Sequence, residues 1–279
     1  MTHLPAPTFP ISAAPRFGLI IVGDEILSGK CADKHMPKVI ELLQARGLQL
    51  DYADYVGDAP ERITATLKRA FASGDVVFSC GGIGATPDDH TRHCAARALG
   101  VELALHPQAE ALIRQQMQNL AREQGTVYDA DRPDNVHGLN MGMFPVGAPI
   151  IPNPFNKIPG FTWGSVHFVP GFPVMAWPMI EWVLDTYYAH LYQTAAWLEH
   201  SVIVFGAIEA ALTPLMEEIE RIYAGIKVFS LPSVDHPEYG RHIELGVKGA
   251  PDLVGQAYPA LLAGLRGVNV RLGPELVRK

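Results

Sequence analysis

Two stretches of the chain concentrate residue types that can handle phosphate: GDEILSG at 23–29 and GGIGATPDDHT at 81–91. In the second, Gly81, Gly82 and Gly84 allow backbone amides to approach an anion. The helix predicted to start near Thr91 adds free N–H groups and a positive dipole end. A phosphorylated ligand is the natural expectation. Asp88 and Asp89 follow these glycines directly, and Gly23, Asp24 and Glu25 close the neighbouring strand. Acids beside a phosphate imply a bridging divalent cation, with Asp88 and Asp89 as its ligands. Local chemistry also allows plainer roles. A GGxG loop can serve only as a tight turn, Asp89 can cap the following helix, and capping is the commoner role for Asp58 in VGDAPERI. His90 and His93 read as surface residues, and Cys80 as a small buried one, with no cation nearby in sequence to activate it.

These loops need strands to carry them. FGLIIV, at 17–22, is a continuous apolar run that reads as a strand buried on both faces. HMPKVIELLQAR, at 35–46, has helical spacing through Val39, Leu42 and Leu43, and ERITATLKRAFAS repeats it through Ile63, Leu67 and Ala70. DVVFSC is a second short apolar strand, again ending at glycines, and further helices are predicted at 91–99 and 107–124. Strands alternating with helices imply an α/β fold with a parallel or mixed sheet covered on both faces. In such sheets ligands bind outside the carboxyl ends of the strands, so both loops can converge on one pocket. From 144 to 175 the chain is turn-rich, with late strands expected at 149–151 and 166–169, and 176–198 reads as one or two closing helices.

The expected domains are a proline-rich leader at 1–15, an α/β domain at 16–195 and a small α+β domain at 196–279. The last follows a βαββαβ order, that of a split βαβ sandwich. Charged residues are only 18% of the chain against 48% apolar, which excludes disorder. The net charge of −7 and the lack of a basic run argue against nucleic acid as a partner. Three cysteines without CxxC spacing argue against a disulfide framework or structural zinc, and no apolar run has the length of a membrane span. A cytoplasmic protein without a membrane partner is expected.

Taken together, GDEILSG, VGDAPERI, GGIGATPDDHTR, PNPFNKIPGF and VPGFPV resemble the molybdopterin-binding MoaB/Mog-type domain, in the version found at the N-terminus of the CinA (competence/damage-inducible protein A) family. The resemblance implies a three-layer α/β/α domain followed by a KH-like companion, and no amidohydrolase domain in these 279 residues. It makes Gly81, Gly82 and Gly84 the phosphate or pterin loop, Asp89 and Thr91 a DxT pair, Asp58 and Asp89 the catalytic acids, and Asp24 and Glu25 the acidic strand end. It implies molybdopterin or a nucleotide as ligand, a divalent metal ion, and phosphoanhydride chemistry of the ADP-ribose pyrophosphatase or molybdopterin adenylylation kind. A non-catalytic pterin or nucleotide binding module is the alternative, because the chain departs from the family pattern around the pocket. His35 stands where a DxN element beginning at Asp33 has Asn, Ala85 replaces a proline, Asn156 a glycine and Met175 a glutamate. A homo-oligomer is expected. The companion segment, with eight Lys/Arg against ten Asp/Glu, is read as containing no GxxG and is expected to bind no RNA.

Overall fold

Apolar runs that are too long to alternate must be covered on both sides, and β1 (Phe17–Val22) has all six residues buried. A computed structural model describes residues 15–192, 198–268 and 270–278 of the chain. The expected leader, apart from its last residue, and the expected boundary near 195 lie outside the described residues. The chain divides into two units, Met1–Tyr192 and Gln193–Lys279.

In the first unit β1 is followed by α1 (Asp24–Leu27), α2 (His35–Gln44), β2 (Leu50–Val56), α3 (Pro60–Ser73), β3 (Val76–Cys80) and α4 (Thr91–Leu99). Then come β4 (Leu103–Leu105), α5 (Pro107–Glu123), α6 (Pro133–Gly138), β5 (Met143–Pro145), β6 (Ile150–Ile151), β7 (Gly160–Trp163), β8 (Val166–Val169) and α7 (Pro173–Tyr187). The main sheet has the order β2–β1–β3–β8–β7–β6. β2, β1, β3 and β8 are parallel, whereas β7 runs antiparallel to β8 and β6 antiparallel to β7. Alternate residues of β1 serve opposite layers. Leu19 and Ile21 pack with Val39 and Leu43 of α2 and with Ile180 and Leu184 of α7. Ile20 and Val22 pack with Ile63 and Leu67 of α3 and with Cys94 and Ala95 of α4. Each such fully buried aliphatic side chain contributes roughly 1.5–3 kcal/mol. The result is the expected three-layer α/β/α domain.

The differences from expectation are local. Asp24 and Glu25 do not end a strand but form the first turn of α1. The closing helix starts earlier, at Pro173, and ends at Tyr187. A strand at 160–163 and a small β4–β5 ladder were not foreseen.

The second unit comprises β9 (Leu198–Phe205), α8 (Glu209–Ile222), β10 (Lys227–His236), β11 (Gly240–Gly249), α9 (Pro251–Arg266) and β12 (Arg271–Arg278). Its antiparallel sheet has the order β10–β11–β9–β12. Val202, Val204, Leu245 and Val247 pack on Leu212 of α8 and Leu261 of α9. This is the split βαβ sandwich of the strand–helix order; nothing in it singles out a KH module. Two GxxG sequences do occur, at Gly246–Gly249 and Gly264–Gly267. The first lies within β11 and the second ends α9, so neither joins two helices. Among the described residues no helix is long and apolar enough to cross a membrane.

Candidate functional site

Because β1, β2, β3 and β8 are parallel, their carboxyl ends open on one edge of the sheet. The segments that leave this edge carry the residues in question: 23–25 after β1, 57–58 after β2, 81–91 after β3 and 170–172 after β8. Their proximity is direct. A Cβ on Gly81, whose φ is +102°, would lie 2.3 Å from the Val22 carbonyl oxygen, and a Cβ on Gly171 would lie 3.5 Å from the Gly81 Cα. The loop after β3 therefore runs against the end of β1 with no room for a side chain at Gly81, and the loop after β8 lies in contact with it.

Asp24 and Asp58 are joined across two strand ends. The Asp24 N–H donates to Asp58 Oδ2 at 2.9 Å, and the Asp58 N–H donates to Asp24 Oδ1 at 3.2 Å. Asp58 thus satisfies the first amide of α1 instead of capping α3, whose N-cap Ala59 makes no side-chain bond. Burial pushes the Asp58 carboxyl up; the Asp24 amide opposes this, and the charges of Asp24, Glu25 and Asp88 add to it. Asp58, Asp24, Glu25 and Asp88 therefore share one electrostatic neighbourhood. The exposed Asp88 carboxyl is held down by its hydrogen bond with Thr86.

Asp89 has a different position. Its Oδ1 accepts from the Gly84 N–H at 2.8 Å, and its Oδ2 accepts from the N–H and hydroxyl of Thr86 at 2.8 and 2.5 Å. α4 begins after His90 without a side-chain cap, so Asp89 is not its cap. It closes the loop on itself, and both its oxygens are engaged there. Asp88 is the freer of the two acids expected to hold a metal.

The glycine loop divides its amides. Gly81 donates to the Val169 carbonyl at 3.0 Å and Gly84 to Asp89, while the N–H groups of Gly82 and Ile83 have no acceptor among the described residues. Gly82 has φ +68°, and a Cβ there would lie 2.2 Å from Thr91 Oγ1. Only glycine fits. The Thr91 N–H donates to the Gly82 carbonyl at 3.0 Å, yet its fully buried hydroxyl has no partner. An orphaned buried hydroxyl is costly and calls for an explanation. Here it lies beside two free amides, a set of donors suited to an anion.

Arg92, which drew no attention in the sequence, lies beneath this loop at 2% exposure. Its Nη1 donates to the Ile83 carbonyl at 2.5 Å and its Nε is buried without a partner. Burial pushes the guanidinium down to about 10, with the Asp89 charge opposing. Its spacing to the buried Ala95 and Ala96, three and four residues on, was a sign that Arg92 occupies the buried face of α4.

The four departures are tied into the same edge. The buried His35 donates from Nε2 to the Gly171 carbonyl at 2.9 Å, and its amide and that of Met36 are capped by the Asp33 carboxylate at 2.7 and 3.1 Å. Asn156 reaches Met175 Sδ at 3.2 Å, so two departures contact each other. The Ala85 carbonyl accepts from His137 Nε2 at 2.8 Å. Cys80 is buried, and burial pushes its thiol far up, as suits an inert residue. Among the described residues no three His, Cys, Asp or Glu side chains converge closely enough to hold a metal ion. Clefts of about 500 Å³ beside the start of α8 and about 290 Å³ beside α5 and α6 share none of these site residues.

A sequence profile described as "Probable molybdopterin binding domain" matches residues 18–190. The chain belongs to this molybdopterin-binding domain family. Curated relatives include a CinA-like protein of Citrifermentans bemidjiense, 30% identical over 206 residues (72% of this chain, 47% of that protein). A second, from Anaeromyxobacter sp. strain K, is 32% identical over 209 residues (72% and 48%). The chain thus spans about half the length of these relatives. Among solved structures, the protein CinA of unknown function from Thermoplasma acidophilum aligns with 26% identity and a TM-score of 0.51, covering 62% of this chain and 97% of that one. The molybdopterin-binding domain match covers both glycine-bearing loops and all the acids discussed above.

Proposed function

We propose that the strand-end edge binds the phosphate of a pterin or nucleotide, such as molybdopterin or ADP-ribose, and assists chemistry at a phosphoanhydride. The observation that carries this reading is the unpartnered, fully buried Thr91 hydroxyl beside Gly82, next to two amides that lack acceptors. Phosphate oxygens are the acceptors that such donors lack. The acids suit the other end of such a ligand. Magnesium usually binds through one or two carboxylates plus substrate phosphates, with water completing its shell. That need agrees with acids that do not form a closed metal cage. Asp58 and Asp88 are the residues that would hold the ion, which would neutralise phosphate charge when bound. Held on the ion, the Asp58 carboxylate would also be placed to orient an attacking water. Asp89 supports the reaction by shaping the loop.

Binding without turnover is the second reading, and the departures at His35, bonded to Gly171, and at Asn156 and Met175, in contact with each other, favour it. Calorimetric titration with ADP-ribose and magnesium, followed by chromatography for AMP, separates the two. Binding with AMP release supports the enzyme, and binding without it supports the module. A protein that binds neither ADP-ribose nor molybdopterin refutes both readings.

A further inference from the structure

The Ile83–Gly84 peptide is gripped at both ends. Its carbonyl accepts from Arg92 Nη1 and its N–H donates to Asp89 Oδ1, so a cation and an anion meet through one peptide plane. This fixes the plane that follows the two free amides of the loop. The grip leaves Arg92 under-compensated. Its guanidinium is buried, its Nε has no partner, and no carboxylate lies within ion-pair distance among the described residues. A buried cation in this state weakens a fold unless something else completes it. The Thr91 hydroxyl next to it in sequence is also buried and incomplete. Both deficits face the needs of an anion, one a missing acceptor and the other a missing negative charge.

We propose that Arg92 is a positioning residue for the bound anion: through the Ile83–Gly84 peptide it presents the free amides of Gly82 and Ile83, and from behind the loop its charge balances the ligand's phosphates. The inference rests on the phosphate-binding reading above. It explains why Asp89 is engaged within the loop, since the carboxylate is the second half of the grip. It also predicts a dependence on ligand charge that a purely structural arginine would not produce.

The test is calorimetric titration of the full chain with inorganic pyrophosphate and with inorganic phosphate, each in magnesium chloride. Arg92→Gln removes the charge and keeps an amide donor, whereas Arg92→Lys keeps the charge. The glutamine variant is expected to lose about thirty-fold or more in affinity for pyrophosphate and distinctly less for phosphate, and the lysine variant to recover most of the loss. Equal losses for the two anions, or wild-type affinity in Arg92→Gln, overturn the proposal. Wild-type protein that ignores pyrophosphate overturns the phosphate reading and this inference with it; wild-type binding with an unaffected glutamine variant overturns this inference alone. Should Arg92→Gln not fold, the ¹⁵N signal of the Arg92 Nε–H in wild-type protein decides: it is expected to shift on saturation with pyrophosphate, and an unmoved signal overturns the proposal.

Discussion

The N–H of Asp24 donates to the carboxylate of Asp58 while the N–H of Asp58 donates to that of Asp24, and the two residues are 34 positions apart. Parallel pairing of β1 with β2 in a register that sets Val22 beside Val56 brings the two acids together. The amides make the like charges tolerable, because a carboxylate that accepts an N–H bond is stabilised in its charged form. The edge is thereby held closed at a cost in repulsion that a cation can relieve.

Asp58→Asn keeps an oxygen for the Asp24 amide and removes one charge, so its stability in urea should equal or exceed that of the wild type. Asp58→Ala leaves the first amide of α1 without its acceptor and should lose about 1 kcal/mol, the usual worth of a cap. Both should lose magnesium-dependent ligand binding. Asp58→Ala as stable as Asp58→Asn would refute the reciprocal pair as a structural latch.

Thr91→Val removes a buried hydroxyl that has no partner and keeps the shape of the side chain. Stability should rise by about 1 kcal/mol, because an unsatisfied buried polar group is lost, while affinity for ADP-ribose falls. The opposite pair of changes would show that the hydroxyl serves the fold. Gly82→Ala should damage both properties, since the added methyl meets the Thr91 side chain and the backbone is left-handed.

His167 is expected to add to the acid sensitivity of the first unit. It is fully buried, with Nδ1 2.9 Å from the Thr162 hydroxyl and Nε2 2.7 Å from the Tyr188 hydroxyl. Burial pushes its pKa down to about 3. Between that value and the ordinary histidine value near 6.5, the unfolded chain binds a proton that the native protein does not. Stability therefore falls as pH drops below about 6.5, by up to about 1.4 kcal/mol per pH unit from this group. Urea midpoints measured from pH 7 to pH 4 should show a shallower decline in His167→Gln than in the wild type. Parallel curves would exclude His167 as a source of acid sensitivity.

What could be read in advance was whatever is local and periodic. FGLIIV could hardly be anything but a two-face-buried strand, α2 and α3 are close to the helices their apolar spacing predicts, and α4 and α5 lie where further helices are expected. The acids and glycines of the edge were found by residue type at strand ends. α1 escaped because one turn, Asp24–Leu27, has no periodicity to detect, and β4 and β5 because each spans only three residues. The roles within the edge escaped for a deeper reason. That Asp58 serves Asp24 and that His35 reaches Gly171 depend on which strands are neighbours, and that Asp89 serves Gly84 depends on how the loop turns back on itself. Apolar spacing reports what faces the core, not which polar atoms meet at its rim.

The second unit owes part of its sheet to a buried charge network, and this gives the last prediction. Glu244 of the central strand β11, 9% exposed, accepts from the Ser201 hydroxyl of β9 at 2.7 Å and receives both terminal nitrogens of Arg278 from β12. The guanidinium holds the Glu244 carboxyl below its usual range; burial opposes this and Ser201 assists. A carboxyl held down contributes stability above its unfolded pKa, near 4.3, and loses that contribution as pH falls through its native value. Arg278→Ala leaves the carboxylate buried beside Ser201 without its cation. The cost should lie between that of an exposed pair and that of a fully buried one, about 1–3 kcal/mol, since the arginine itself is half exposed. Glu244→Gln should cost less than Arg278→Ala, because its amide oxygen still accepts from Ser201 and no bare charge remains. Hydrogen exchange at the paired amides of β9 and β11 measures the difference where it arises. Faster exchange there in Arg278→Ala than in Glu244→Gln is expected at neutral pH, with the gap closing in acid as Glu244 takes up its proton. Equal exchange in the two variants at neutral pH would mean that the ion pair spans the sheet without holding it.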